Sequence, residues 1–223
     1  MRELLRFGKI DYMIRYPESF ECEKRYPLLV YLHGAGGRGR DTEVIRNHSF
    51  FEDSEKYCRN VVTVVPQCYA NTWFDMYEQL MAYLEAMCNL DFVDPDRVYV
   101  MGASMGGYTT WQVGMSRPDL FAAIVPICGG GMYWNAARLK HMAVWAFHGD
   151  ADATVSCEES KKMVEAIKKR GGLDNARLTI YEGVPHNSWT STFQNEEMWA
   201  WMFAQRRHYE EVVNEFGDPA KFG

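Results

Sequence analysis

The stretch Val98-Tyr99-Val100-Met101-Gly102-Ala103-Ser104-Met105-Gly106-Gly107-Tyr108 decides how the chain is read. Four apolar residues, a turn and a helix start follow one another, with Gly102-x-Ser104-x-Gly106 at the turn. The chain must reverse there from a buried strand into a helix within about three residues, which holds Ser104 in a strained backbone conformation. Glycines two before and two after keep side chains out of the crossing. Ser104 then stands at the carboxyl end of the strand and the amino end of the helix, where the helix dipole and free N–H groups favour negative charge. A tight turn with a bystander serine would look the same, so the partners elsewhere in the chain decide.

The bulk numbers narrow the classes. A chain of 223 residues, 47% hydrophobic and 24% charged, suits one α/β domain over 1–223 with a substantial core. A net charge of -6, from 30 acidic and 24 basic residues, argues against a nucleic-acid-binding surface. No apolar run approaches a membrane span. Met1 to Asp11 is mixed and charged and lacks a signal-peptide apolar segment, so the expected compartment is the cytoplasm. The six cysteines form no CxxC pair or zinc-like cluster with histidine, and are expected to be reduced and mostly buried.

Outward from Ser104, apolar runs alternate with helical periodicity. Ile10 to Tyr16 reads as an early edge strand, and Pro27 to Leu32 and Val61 to Val65 as strands buried on both faces. Met76 to Asn89 carries Met76, Leu80, Tyr83, Leu84 and Met87 at helical spacing. Asp94-Pro95-Asp96-Arg97 is a turn that feeds the Ser104 strand. Phe121 to Ile127, Ala143 to Phe147 and Leu178 to Tyr181 are further strands, Glu158 to Arg170 and Phe193 to Arg207 helices, and Asp218 to Gly223 a frayed tail. Alternation of this kind predicts a mostly parallel sheet flanked by helices.

Loops just past the strand ends hold the chemistry. His33-Gly34-Ala35-Gly36-Gly37 follows a buried strand and exposes backbone N–H groups; no Lys-Ser or Lys-Thr follows, as a phosphate loop would require. Two strands after Ser104 comes His148-Gly149-Asp150-Ala151-Asp152, and after the next strand Val184-Pro185-His186. Serine, acid and histidine thus fall on one edge of the sheet in that order. Periodicity leaves Asp150 and Asp152 as equal candidates for the acid. Of the six histidines only His186 lies in a loop after the last strand; His33 and His148, beside glycines at strand ends, read as structural. Trp73 and Trp134 read either as lining the site or as core.

In LHGAGGRG from Leu32, VVPQC from Val64, VYVMGASMGGYTTW from Val98, FAAIVPICGGG from Phe121, FHGDADATV from Phe147 and VPHNSW from Val184, the chain resembles the α/β-hydrolase superfamily. Within it the likeness is to small serine esterases and "predicted peptidases" related to dienelactone hydrolase and prolyl oligopeptidase, a phospholipase/carboxylesterase-like group. The resemblance runs from about Leu28 to Gln205. It implies the α/β-hydrolase fold with no large lid, and a Ser104–Asp152–His186 triad in which HGxxDxxV places the acid at Asp152 with Val155 as its valine. It also implies oxyanion donors at the Ala35 and Met105 N–H groups and no metal or organic cofactor. Pro185 departs from the family, where a glycine is common before the histidine.

The expected activity is therefore hydrolysis of carboxylic esters through an acyl-enzyme, on a small-molecule substrate. Trp73, Trp134 and Trp189 near the mouth would suit short acyl groups or aromatic acids such as feruloyl. A serine peptidase is the alternative, and a thioesterase or acyltransferase would use the same triad. A non-catalytic binding protein on this fold would be expected to lose a triad member, and none is missing. Nucleic acid and membrane are not expected as partners; a homodimer is expected on base rates alone.

Overall fold

In β3 (Tyr26–Leu32) every residue is buried, as a strand covered on both faces must be. Its side chains alternate: Leu28, Val30 and Leu32 join one core, and Leu29 and Tyr31 the other. The structure, a computed structural model, describes residues 1–172 and 175–217. Its other strands are β1 (Arg2–Phe7), β2 (Ile10–Arg15), β4 (Val62–Pro66), β5 (Val93–Ala103), β6 (Ala123–Ile127), β7 (Ala143–Gly149) and β8 (Ala176–Tyr181). They form one sheet in the order β1-β2-β4-β3-β5-β6-β7-β8. From β4 to β8 all neighbours are parallel, while β1 and β2 are antiparallel additions at one side.

Helices cover both faces. On one lie α1 (Tyr77–Cys88), α2 (Met105–Ser116) and α3 (Glu158–Lys169), which contribute Leu80 and Leu84, Trp111 and Val113, and Met163 and Ile167 to the first core. On the other, α4 (Trp189–Phe193) and α5 (Glu196–Ala204) contribute Phe193, Met198, Trp199 and Met202 to the second core, with Phe50 and Phe51. The connections from β3, β5, β7 and β8 all leave the sheet at the same edge, because parallel strands end on one side. That edge carries the site.

Four expectations need correction. The strand at Ile10–Arg15 is not the edge: β1 lies outside it, with the positive-φ residue Gly8 (φ 56°) in the turn between them. The run RELLRF shows no clean alternation because β1 is only partly covered, with Phe7 against the first core and Leu4 against the second. The Asp94–Arg97 segment lies within β5 and not in a turn, and is absorbed by a register shift against β3 between Tyr26 and Leu28. The helix expected over Phe193–Arg207 is interrupted at Asn195, whose side chain accepts the Met198 N–H at 2.9 Å and so caps α5 as a separate helix. A last helix, α6 (Tyr209–Phe216), follows and was not expected. The tail expected at Asp218–Gly223 lies outside the described residues. Among those described, no helix is long and apolar enough to cross a membrane.

All six cysteines are free; Cys22 is exposed, Cys157 half-buried and the other four buried. Burial pushes the Cys58 thiol up to about 11 and those of Cys88 and Cys128 to about 12. Iodoacetamide at pH 8, read by mass spectrometry, should therefore alkylate Cys22 first and Cys157 more slowly. Cys58, Cys68, Cys88 and Cys128 should stay unmodified until denaturant is added.

Candidate active site

Ser104 has φ 56° and ψ −118°; among the described residues, Cys128 (φ 41°) is the other non-glycine at positive φ. Such a conformation persists only where its surroundings over-determine it. Here the Ser104 N–H donates to the Ile127 carbonyl at 2.9 Å, and the Ser104 carbonyl accepts from the Tyr108 N–H at 3.0 Å. The flanking glycines have a direct steric reason. A Cβ on Gly106 would overlap the Leu32 carbonyl oxygen at the end of β3, and one on Gly102 would overlap the Gly106 carbonyl.

The side chain so presented belongs to a continuous hydrogen-bond chain. Ser104 Oγ lies 2.8 Å from His186 Nε2, and His186 Nδ1 lies 2.7 Å from Asp152 Oδ2. A carboxylate accepts only, so Nδ1 carries the ring proton and Nε2 is free to take the serine proton. Asp152 Oδ1 accepts the Thr154 and Val155 N–H groups, both at 2.8 Å. Burial pushes the Asp152 carboxyl up, but the bonds from His186, Val155 and Thr154 outweigh it, and the net pKa is below the ordinary carboxyl value. Asp150, the other candidate acid, points elsewhere: its Oδ1 accepts the Gly183 N–H at 2.7 Å. It ties down the loop that carries His186, as does the Ala151 N–H bond to the Val184 carbonyl at 3.2 Å.

The glycine-rich loop after β3 is held by His33. Its Nδ1 lies 2.7 Å from the Gly34 carbonyl, and its Nε2 accepts the Cys68 N–H at 3.1 Å. Both contacts are met by a neutral ring protonated on Nδ1. Burial lowers the pKa of His33 to about 4. Trp73 is wholly buried and donates its indole N–H to the His33 carbonyl at 3.1 Å. It supports the loop from behind and does not line the site, correcting one of its two readings. Ala35 begins a short 3-10 turn and Met105 begins α2, positions where an N–H has no acceptor within its own helix. The N–H groups of the two expected oxyanion donors are thus left without a helical acceptor.

Ser104 and His186 share a cavity of about 620 Å³ with Tyr31, residues 34–37, Val44, His48, Ser49, Ala103, Thr154 and Trp189. Among these described residues, none is acidic and the histidines are the only ionisable basic groups. Trp189 stands edge-on to the His186 ring, 5.7 Å between centroids, and lines the cavity. Trp134 does not: it is 64% exposed and lies beside Tyr133, Lys162 and Arg170 on a separate part of the surface. The sequence gives no sign of Tyr31, Val44 or His48. Tyr31 looks like any core position of β3, and His48 sits in a polar segment without periodicity. His48 Nδ1 accepts the Phe50 N–H at 3.2 Å, which leaves Nε2 as the protonated nitrogen.

One group of atoms has the composition of a metal site: Cys128 Sγ, a carboxylate oxygen of Asp152 and a ring nitrogen of His186 lie within 4.8 Å of one another. Its chemistry does not fit a resident ion. The thiol is buried and protonated at neutral pH, and the other two groups are committed to each other.

Taken together, the chain has the α/β-hydrolase fold, and its site has the composition of a serine hydrolase. Residues 68–145 match the prolyl oligopeptidase family. Among curated proteins, a probable dipeptidyl-peptidase 5 of Aspergillus terreus is 30% identical over 164 residues, which cover 66% of this chain and 22% of that protein. The chain thus spans about a fifth of the length of the dipeptidyl-peptidases it matches. Among solved structures, a thermostable esterase is 31% identical with a TM-score of 0.80, over 93% of this chain and 63% of that one. A ferulic acid esterase, 18% identical with a TM-score of 0.65 over 91% of this chain and 98% of that one, shares the fold.

Two predictions follow from this geometry. Asp152→Asn should lower kcat by about 10⁴, because it leaves His186 with the wrong tautomer, whereas Asp150→Asn should keep kcat within about tenfold. Loss in Asp150→Asn with retention in Asp152→Asn would exchange the two roles. The second concerns His33. The unfolded ring binds a proton below about 6.5 and the folded ring only below about 4, so stability falls as pH drops through that window, by about 3 kcal/mol for this residue. Denaturant melts at pH 7 and pH 4.5 should show a smaller loss in His33→Gln than in the wild type.

Proposed function

We propose that the protein is a serine hydrolase that cleaves carboxylic esters of short-chain or aromatic acyl groups, including acetyl and feruloyl esters. The observation that carries this reading is the unbroken Ser104–His186–Asp152 chain at the floor of an open, uncharged cavity. In the reaction His186 Nε2 takes the Ser104 proton as Oγ attacks the ester carbonyl, and Asp152 stabilises the imidazolium. The Ala35 and Met105 N–H groups receive the oxyanion, a contribution of roughly 3 kcal/mol per donor. His186 then returns its proton to the leaving alcohol, and water, activated by the same ring, releases the acid from Ser104.

The lining favours an ester over the end of a peptide. A free amino terminus carries a full charge, and burying it without a carboxylate partner costs several kcal/mol. Among the described lining residues no carboxylate is available for it. A neutral acyl group meets no such cost, and Tyr31, Val44 and Trp189 offer it apolar surface. The dipeptidyl-peptidase relatives keep peptide hydrolysis as the second reading.

The experiment is hydrolysis of p-nitrophenyl acetate, butyrate and octanoate and of methyl ferulate, beside a dipeptidyl p-nitroanilide, by wild type and Ser104→Ala. Turnover of acetate, butyrate or ferulate should exceed that of the anilide and fall at least about 10³-fold in the variant. Cleavage of the anilide alone would establish the peptidase reading instead.

A further inference from the structure

His148 lies at the end of β7 with its ring wholly buried, two residues before Asp150 and four before Asp152. Its Nε2 faces two oxygens: the Val155 carbonyl at 2.9 Å and Asp152 Oδ2 at 3.2 Å. Both can only accept, so Nε2 carries a proton, which is directed to the Val155 carbonyl with Asp152 Oδ2 as the second oxygen within its reach. On the other side Nδ1 lies 2.8 Å from the Ser160 hydroxyl at the start of α3, and that hydroxyl lies 3.0 Å from the Gly129 carbonyl. Gly129 in turn packs against the Gly107 backbone in the first turn of α2. A chain of polar contacts therefore runs from Ser104 through His186, Asp152, His148 and Ser160 to the Gly129 carbonyl, and Gly129 packs on the helix that Ser104 begins.

We propose that His148 is a positioning residue for the reaction, fixing Asp152 Oδ2 from the side opposite His186. The inference rests on Ser104, His186 and Asp152 being the reacting set. Its physical basis is the division of labour at the carboxylate. The Thr154 and Val155 N–H groups both hold Oδ1. Rotation about the last bond of an aspartate is soft, so fixing one oxygen leaves the other free to swing. Oδ2 is the atom that orients His186, and His148 is its second donor. The His186, Val155 and Thr154 donors keep the carboxylate ionised in a buried place, and the His148 N–H is the further polar group beside Oδ2. Loss of the His148 donor releases Oδ2, and a displacement of about 1 Å at the end of such a chain costs about 10² in rate.

The test exploits the two nitrogens of the ring. A glutamine at 148 can place an N–H where Nε2 stood, toward Asp152 and Val155. An asparagine reaches only the Nδ1 position, toward Ser160. kcat and KM on p-nitrophenyl butyrate and the melting temperature are measured for His148→Gln, His148→Asn and Ser104→Ala. The expected result is a fall in kcat of about 10² in His148→Asn with KM within about twofold, and recovery to within about tenfold of wild type in His148→Gln. Equal loss in both variants, or wild-type kcat in both, overturns the proposal while leaving the serine-hydrolase reading intact. Activity in Ser104→Ala would defeat that reading instead. If neither His148 variant folds, proton–nitrogen spectra of the wild-type histidines supply the answer. The His148 Nε2–H resonance should move on Asp152→Asn, and an unmoved resonance overturns the proposal.

Discussion

Everything in the site depends on how closely two backbones approach where α2 starts. The Gly106 α-carbon lies against the Leu32 carbonyl and Gly107 against the Ile127 carbonyl, with no room for a Cβ at either place. The first turn of α2 is thereby wedged between the ends of β3 and β6. Three consequences follow from that one contact. Ser104 is forced to positive φ and its side chain is lifted clear of the sheet. The Met105 N–H is brought beside the loop that follows β3. The N-terminus of α2, with its partial positive charge, comes directly after Ser104. A methyl group at 106 would spoil all three at once, which explains why the chemistry is tied to a glycine pattern more tightly than to any polar residue but the serine.

Around that wedge, polar groups are held by backbone atoms more than by each other. Asp152 is oriented by the two N–H groups of its own turn, Asp150 grips the His186 loop through the Gly183 N–H, and His33 is pinned between a carbonyl and an N–H. This arrangement resolves the conflict between burial and charge. Desolvation alone would protonate Asp152 and disfavour its role, yet its donors reverse the direction of the shift. For the buried His33 and His148, and for the half-buried His48, nothing reverses it. His33, His48 and His148 are all pushed down and stay neutral, so each ring serves as a fixed donor–acceptor pair. One constellation therefore uses its buried acid as a charge and its buried histidines as spacers.

The difference between what could and could not be read from residues alone has the same origin. Ser104, the parallel order of the central strands and the loops carrying Asp152 and His186 were legible because each is bound to a spacing: period two in buried strands, two residues either side of the serine, one loop after each strand. Asp150 and Asp152 could not be separated by periodicity, because both sit past the same strand end; only the family pattern divided them, and hydrogen-bond geometry gives the reason. Trp73 and Trp134 defeated the reading in opposite ways. Both follow strand ends at the site edge, but Trp73 turns inward to bond the His33 carbonyl and Trp134 turns out to solvent. Chain position fixes where an aromatic ring starts, not where it points. The β1 strand left a weak pattern because its faces are only partly covered, at Leu4 on one and Phe7 on the other, so burial leaves little imprint on its sequence.

The residues that shape the cavity fall mostly in the last category. Val44, His48 and Ser49 come from the irregular segment after the glycine loop, where four-residue helices alternate with turns. Ile45, Phe50 and Phe51 anchor that segment in the second core, while Val44, His48 and Ser49 are not buried, so these three can change without disturbing the wedge at Gly106 or the carboxylate at Asp152. Loops that carry binding residues on a rigid scaffold behave in this way generally. The two halves of the function are thus separated in physical terms. Bond cleavage is assigned to positions where alternatives collide with backbone or strand a buried charge. The shape of the cavity wall is left to positions where many alternatives would pack, among them His48, whose Nδ1 is tied to the Phe50 N–H.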